Sequence, residues 1–252
     1  MKAIISDVHG NLEALDAVLK DMDGKDVEEI VCLGDIIGYG PQPVECYEKL
    51  KHLVDGTHFV LGNHEEAVSA GSAESFTSRA RKAIEWTKAQ MFGSEGNPIP
   101  EGQERLSRLL EVPTIIERDG TIYVHGSPRN HTREYITPRD VRNKTKMDAI
   151  FELFQTLCFV GHTHIAGVFT PDGFSSPDDL MNIYLAGTEK AIVNVGSVGQ
   201  PRDGDTRASY VTFDGDTVIF RRVEYDINAT VEKIYAVNDL DRSLGDRLKV
   251  GR

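Results

Sequence analysis

The chain of 252 residues carries 28 Lys+Arg against 40 Asp+Glu, a formal net charge of −12, with 40% hydrophobic and 27% charged residues. That length suits one large α/β domain with a sizeable core, and the ordinary apolar and charged usage excludes a fibrous or disordered chain. The acidic excess argues against a broad basic face, so neither duplex nucleic acid nor an anionic membrane is an expected partner.

Lys2–Ser6 is a short apolar run bounded by polar residues and reads as a buried strand; Leu12, Leu15, Leu19 and Met22 then recur at helix spacing with Asn11 placed as the cap. IVCLG is a second strand, Pro43 sits at the first turn of another helix, and HFVLG is a third strand. Phe76 to Met91 is predicted helical, with Ala80, Ala83, Ile84, Thr87 and Met91 on one side. Thr114–Arg118 and Thr121–His125 predict a hairpin about Asp119-Gly120, followed by a helix over roughly Arg139 to Phe154 and a strand ending at Gly161. From Ala166 onward strands dominate: GVF, NIYL, AIVNV, SYVTF and TVIFRRV, the last two joined by Asp214-Gly215-Asp216. A closing helix near Ala229–Val237 ends the predicted order, and the charged tail from Asn238 receives no assignment. Alternating βα units followed by antiparallel strands suggest two packed sheets with helices outside.

No repeat or Pro/Ser-rich linker divides residues 1–252, which are expected to form a single domain. No run approaches 18 consecutive apolar residues, and the N-terminus passes straight into KAIIS without a charged, apolar leader. Cys32, Cys46 and Cys158 are too few and scattered for a disulfide framework or a cysteine zinc site, and Cys32 and Cys158 read as small buried thiols. The expected location is cytoplasmic.

The chemistry is written at strand ends. Successive apolar runs finish in Ser6-Asp7-Val8-His9-Gly10-Asn11, Gly34-Asp35, Gly62-Asn63-His64-Glu65, His125-Gly126 and Gly161-His162-Thr163-His164. Ligands gather outside the carboxyl ends of strands in α/β sheets, so these endings point at one cleft. In extended chain, residues i and i+2 share a face, which would aim Asp7 with His9 and His162 with His164. Carboxylate, imidazole and amide ligands without thiolates suit two divalent ions such as Mn, Fe, Zn or Ni. Taken singly, each motif has a plainer reading: GNHE, for instance, can be a helix start with Glu65 in its first turn.

The ordered motifs DVHG, GDIIGYG, GNHE, the lone His125 and GHTH resemble the calcineurin-like metallophosphoesterases from Asp7 to about Val198. The segment NVGSVGQPRDGD, Asn194–Asp205, is similar to small bacterial and archaeal members. The resemblance implies a four-layer α/β/β/α sandwich of two mixed sheets flanked by helices. It also implies that Asp7, His9 and His164 hold one metal, that Asn63, His125 and His162 hold the other, and that Asp35 bridges them. A metal-bridging hydroxide would then hydrolyse a phosphodiester or phosphomonoester, with His64 protonating the leaving oxygen. His64 is expected to titrate near neutrality, which suits an acid.

The chain departs from the protein-phosphatase branch and its diadenosine-tetraphosphate hydrolase relatives, because GDIIGYG has no Asp-Arg pair after Asp35. A Ser/Thr protein phosphatase or dinucleoside polyphosphate hydrolase is the alternative activity, and a non-catalytic scaffold of the same fold the alternative class. A nuclease fits the metals but not the net charge. Asn11, Tyr39, Arg129, His131, Arg133 and Arg202 are candidates for contact with a small phosphorylated substrate, Asn11 with a competing role as helix cap. Ser197 lacks the partners of a nucleophile.

Overall fold

The computed structural model describes residues 1–70, 76–94 and 97–252. The chain opens with β1 (Lys2–Ile5), α1 (Leu12–Met22), β2 (Glu29–Cys32) and α2 (Pro43–Leu50). Helices α3 (Asn63–Ala70) and α4 (Ser78–Phe92), the two-residue strands β3 (Gly93–Ser94) and β4 (Asn97–Pro98), and α5 (Gly102–Glu111) follow. The hairpin β5 (Ile115–Arg118) and β6 (Thr121–Val124) leads through α6 (Lys144–Phe151) to β7 (Leu157–Val160). Then come β8 (Gly167–Thr170), β9 (Gly173–Ser175), β10 (Ile183–Leu185), β11 (Ala191–Asn194), β12 (Ala208–Phe213) and β13 (Thr217–Val223). Two helices, α7 (Ile227–Ala236) and α8 (Ser243–Asp246), close the chain.

The strands form two large mixed sheets, ordered β10-β13-β12-β1-β2 and β5-β6-β7-β11-β8-β9. Alternation along each strand sets the layers. Ile4 points into a core shared with Leu157, Phe159, Val193 and Val211 of both sheets, while Ala3 and Ile5 point the other way, onto α1 and α2. On the second sheet Tyr123 and Phe159 face inward, and Ile122, Val124, Cys158 and Val160 pack under Met147, Ile150 and Phe151 of α6. The result is the helix–sheet–sheet–helix order expected of two half-buried sheets. Cys32, Cys46 and Cys158 are all buried and free.

Local signals mostly decide the elements. Asn11 Oδ1 accepts from the Ala14 amide at 3.1 Å and caps α1, and Pro43 is the first residue of α2. In α4 the buried residues are Ala80, Ala83, Ile84, Thr87 and Met91, the predicted face. Asp119 and Gly120 have φ of +53° and +74°, the paired positive values a two-residue hairpin turn needs.

Three expectations need correction. The run HFVLG forms only a single bridge, Cys32 with Phe59, because after Val60 the Leu61 amide turns away to the Pro113 carbonyl. The helix expected over Arg139 to Phe154 is divided into a 3-10 turn at Pro138–Arg142 and α6, since the Asn143 side chain breaks the run and caps the Lys146 amide. The charged tail is ordered. Leu240, Leu244 and Leu248, four residues apart, bury against Val231 and Ile234 of α7 and Ala83 of α4. Among the described residues no helix is long and apolar enough to cross a membrane.

Candidate metal centre

β1 and β2 run parallel in one sheet, and β6 and β7 in the other, so their carboxyl ends emerge at one edge of the sandwich. Asp7 and His9 follow β1, Asp35 follows β2, His125 follows β6, and His162 and His164 follow β7; Asn63 and His64 open α3. All eight are buried. Main-chain donors here tie the second sheet to the first and α3 to the first. The His162 amide donates to Asp7 Oδ2 at 3.0 Å, and the His64 amide donates to Asp35 Oδ1 at 2.8 Å. The fit leaves no room for a side chain at Gly161, where a Cβ would lie 2.0 Å from Ser6 Oγ, or at Gly62, where it would lie 2.1 Å from Asp35 Oδ1.

Convergence comes from an unusual backbone rather than from extended chain. Asp7, His9, Asp35, His162 and His164 have φ of 56°, 50°, 55°, 64° and 61°, all left-handed. The argument that alternate residues share a strand face therefore brought Asp7 and His9 together for the wrong reason, while His162 and His164, which it also paired, fall in different groups. Each residue is instead turned inward by a conformation that costs L-residues about 1–2 kcal/mol, and such strain gathers at functional sites.

The rings are fixed from behind. Nδ1 of His9 donates to the Ile37 carbonyl at 3.1 Å, Nδ1 of His125 to Leu33 at 2.8 Å, and Nδ1 of His164 to Gln200 at 2.6 Å. His162 uses Nε2 on the Arg133 carbonyl at 3.3 Å. A carbonyl only accepts, so each ring places its hydrogen on that nitrogen and turns the other nitrogen inward. The inward atoms meet in pairs: His9 Nε2 with His164 Nε2 at 3.1 Å, and His125 Nε2 with His162 Nδ1 at 3.0 Å. Asp7 Oδ1 stands 3.1 Å from His164 Nε2, and Asn63 Oδ1 stands 3.0 Å from His125 Nε2. Asp35 Oδ2 lies between the two pairs, 3.3 Å from His125 Nε2 and 3.8 Å from His9 Nε2.

Lone pairs brought this close repel unless a positive charge sits among them, and Asp7 Oδ1 is buried with no hydrogen-bond partner. The donor set therefore fits cations. Asp7, His9 and His164 can supply one ion and Asp35, His125 and His162 another; His9, Asp35 and His64 form a third such group.

Electrostatics agree for Asp7, His162 and His164, and without an ion His125 is instead drawn toward its charged form. Burial works to raise the Asp7 carboxyl, but His164 and His9 outweigh it and hold Asp7 well below the carboxylate range. Burial pushes the His162 and His164 imidazoles down to about 3 and about 4, keeping both neutral and able to ligate. His125 is raised to about 9, because Asp35 outweighs the burial that opposes its charge. Burial also pushes His64 down to about 3, against the expectation of titration near neutrality.

A model of the calcineurin-like phosphoesterase superfamily domain matches residues 1–217. The chain belongs to this superfamily. It is 39% identical over its full length to the uncharacterized protein MJ0912 of Methanocaldococcus jannaschii, covering 98% of that protein. The crystal structure of a metallophosphoesterase from Sphaerobacter thermophilus superposes with a TM-score of 0.79 at 35% identity, covering 100% of this chain and 99% of that one. A symmetrical bis(5'-nucleosyl)-tetraphosphatase of Vibrio vulnificus is 31% identical over 126 residues, 48% of this chain and 42% of that protein. Members of this phosphoesterase superfamily generally bind two divalent metals, and the two His/Asp groups supply suitable ligands.

Around the centre of this superfamily member lies a cleft of about 250 Å³. It is lined by Asp35, Asn63, His64, His162 and His164, and by Tyr39, Phe76, Arg133, Tyr135 and Arg202. Tyr39 and Arg202 thus reach the cleft as expected. Three other substrate candidates are corrected. Asn11 is consumed by structure: its Oδ1 caps α1 and accepts from Thr230 Oγ1, and its Nδ2 donates to Gly199. Arg129 pairs with Glu134, and His131 Nδ1 bonds Thr114 Oγ1 at 2.8 Å; neither lines the cleft. Ser197 Oγ donates to the Asp7 carbonyl, a supporting contact rather than a nucleophile's.

Sequence reasoning missed Tyr135, whose ring stacks on His162 with centroids 4.0 Å apart. It sits in irregular chain with no periodicity to mark it. Glu65 also does more than begin a helix. Its buried carboxylate accepts from the amides of Asp35, Ile37 and Gly62, pinning the loop that carries Asp35 to the start of α3. Burial and the neighbouring Asp35 raise its carboxyl to about 8. Glu65→Ala would strand three buried donors and is expected to lower stability by on the order of 3 kcal/mol, measured by denaturant unfolding. A change below about 0.5 kcal/mol, the range of inert surface substitutions, would show that the clamp is dispensable.

Proposed function

We propose that the protein is a phosphoesterase acting on a small phosphorylated substrate, with Asp7, His9 and His164 holding one divalent ion, Asn63, His125 and His162 a second, and Asp35 shared between them. The observation that carries this reading is the set of inward-facing imidazole nitrogens, each backed by a main-chain carbonyl, around an unpartnered Asp7 oxygen. Two divalent ions such as Mn, Fe, Zn or Ni would supply Lewis acidity toward a phosphoryl group and make a water more acidic. The residues themselves then orient and exclude. Buried backbone turns fix the ligands, Arg202 and Tyr39 stand at the cleft wall to meet an anion, and Phe76 shields one side of the His64 ring.

His64 is proposed to donate a hydrogen to the leaving oxygen. Its ring is held edge-on by Tyr39 and His9, with centroids 4.4 and 4.8 Å away. A neutral imidazole carries one N–H for a hydrogen bond to the leaving oxygen, and outright proton transfer requires the imidazolium, which the negative charge of a bound phosphate would favour. The partial similarity to a bis(5'-nucleosyl)-tetraphosphatase supports a second reading, hydrolysis of a dinucleoside polyphosphate. A scaffold role is disfavoured because no ligand position is lost. We read residues 1–252 as one domain, since α7 packs on α1 and the tail on α4 and α7. The free, buried cysteines support a cytoplasmic location.

The test is metal content together with hydrolysis of bis(p-nitrophenyl) phosphate. Manganese-loaded protein is expected to hydrolyse the diester, to lose activity on chelation, and to regain it on metal return. Failure to hydrolyse this diester and p-nitrophenyl phosphate at full metal occupancy would overturn the reading.

A further inference from the structure

Beside the metal-centre cleft lies a second cavity of about 500 Å³, which shares Tyr39, Tyr135 and Arg202 with the first and so continues it outward. Its far wall is built by the ordered tail, which places Arg247 there. Arg202 Nη2 and Arg247 Nη1 donate to the same oxygen, Gln200 Oε1, at 2.7 and 3.1 Å. Arg202 also lies over the Tyr39 ring, 5.8 Å from its centroid. Arg247 Nε donates to the main-chain oxygen of Arg252 at 2.6 Å.

Among the described residues the partners given for these two guanidiniums are Gln200 Oε1, the Tyr39 ring and the Arg252 main-chain oxygen, with no side-chain carboxylate, although the protein carries twelve more acidic than basic groups. The cavity wall also carries Arg79 and Lys82, and its one acid, Asp241, stands 4.0 Å from Arg79. Four cations thus stand against one side-chain carboxylate in the lining. Burial first, and then the adjacent Arg202, push Arg247 down to about 10, with Tyr39 opposing. Paired guanidiniums present planar forks of donors that match phosphate oxygens. Gln200 connects the two places directly, because its main-chain oxygen holds the His164 ring while its side-chain oxygen holds both arginines.

We propose that Arg202 and Arg247 form a second anion position that holds a non-reacting phosphate of the substrate, so that the protein selects compounds with linked phosphates over simple phosphomonoesters. This rests on the phosphoesterase reading above and specifies its substrate class. A phosphate chain entering at the metal centre would lay its next phosphate along Gln200, one side-chain length away, against the arginine pair. The C-terminal tail thereby belongs to substrate recognition as well as to the core.

The test titrates tripolyphosphate and orthophosphate into the full chain by calorimetry, with and without manganese. Each hydrogen bond to a charged group contributes about 1.5–3 kcal/mol, so Arg247→Gln is expected to weaken tripolyphosphate about tenfold or more. Orthophosphate, which has no second phosphate to place, is expected to change less than about threefold. Arg202→Gln tests the other half of the pair and decides the matter if Arg247→Gln loses the cooperative thermal transition of the wild type. Tripolyphosphate binding unchanged in both variants, or an equal loss for both anions, would overturn the proposal. Absence of any phosphoester turnover in wild-type protein would instead strike the functional reading, which the titrations do not touch.

Discussion

His64→Ala is expected to keep both metals while turnover of an ester with a poor leaving group falls about 10²–10⁴-fold, the usual contribution of a positioned proton donor. The ligand frame should survive because the contact from residue 64 to Asp35 is made by its main-chain amide, which alanine retains. What disappears is the ring set against Tyr39, His9 and Phe76. An alkyl phosphate ester should therefore suffer far more than a p-nitrophenyl ester, whose leaving group departs without a proton. The comparison of kcat for the two esters, with metal content measured in parallel, discriminates. Equal losses on both esters accompanied by loss of metal would move His64 into the ligand set with His9 and Asp35, which its position also allows.

Asp35→Asn is expected to lower metal content at both positions and to reduce activity by more than the 10–100-fold typical of losing a residue that only supports a ligand. Among the described residues Asp35 Oδ2 is the one carboxylate oxygen within 4 Å of both a His9 and a His125 ring nitrogen. An amide there removes a negative charge between two cations and risks turning N–H groups toward them. Elemental analysis after gel filtration reads the first effect and diester hydrolysis the second. A variant with two ions per chain and wild-type turnover would dismiss the bridging role.

The proposed ligand set was legible because its members close apolar runs and most of them, His9, Asp35, Asn63, His125 and His162, stand next to a glycine, and those two signals survive in a bare sequence. Why the members converge was not legible. The left-handed φ values of Asp7, His9, Asp35, His162 and His164 are imposed by contacts between sheets, such as His162 N–H to Asp7 Oδ2, that no local pattern encodes. Asn11 carried two readings in the sequence, and the structure bears out the helix cap, its amide being committed to the helix, Thr230 and Gly199 rather than to the cleft. Arg129 and His131 follow His125 closely in sequence, yet their turn directs them to Glu134 and Thr114. The tail carried its signal in Leu240, Leu244 and Leu248, spaced by four but masked by surrounding charge. Its reward, Arg247 in the outer cavity, depended on tertiary packing alone.

The left-handed residues at the centre set a lasting opposition between endurance and chemistry. Five side chains that prefer other backbone shapes are kept in place by the rest of the fold, and every one of them belongs to a group that could hold an ion. Glycine at any of these positions would relax the main chain and erase the donor together. Stability alone would therefore favour glycine at these positions, and the backbone strain is the cost of keeping side chains that could hold ions.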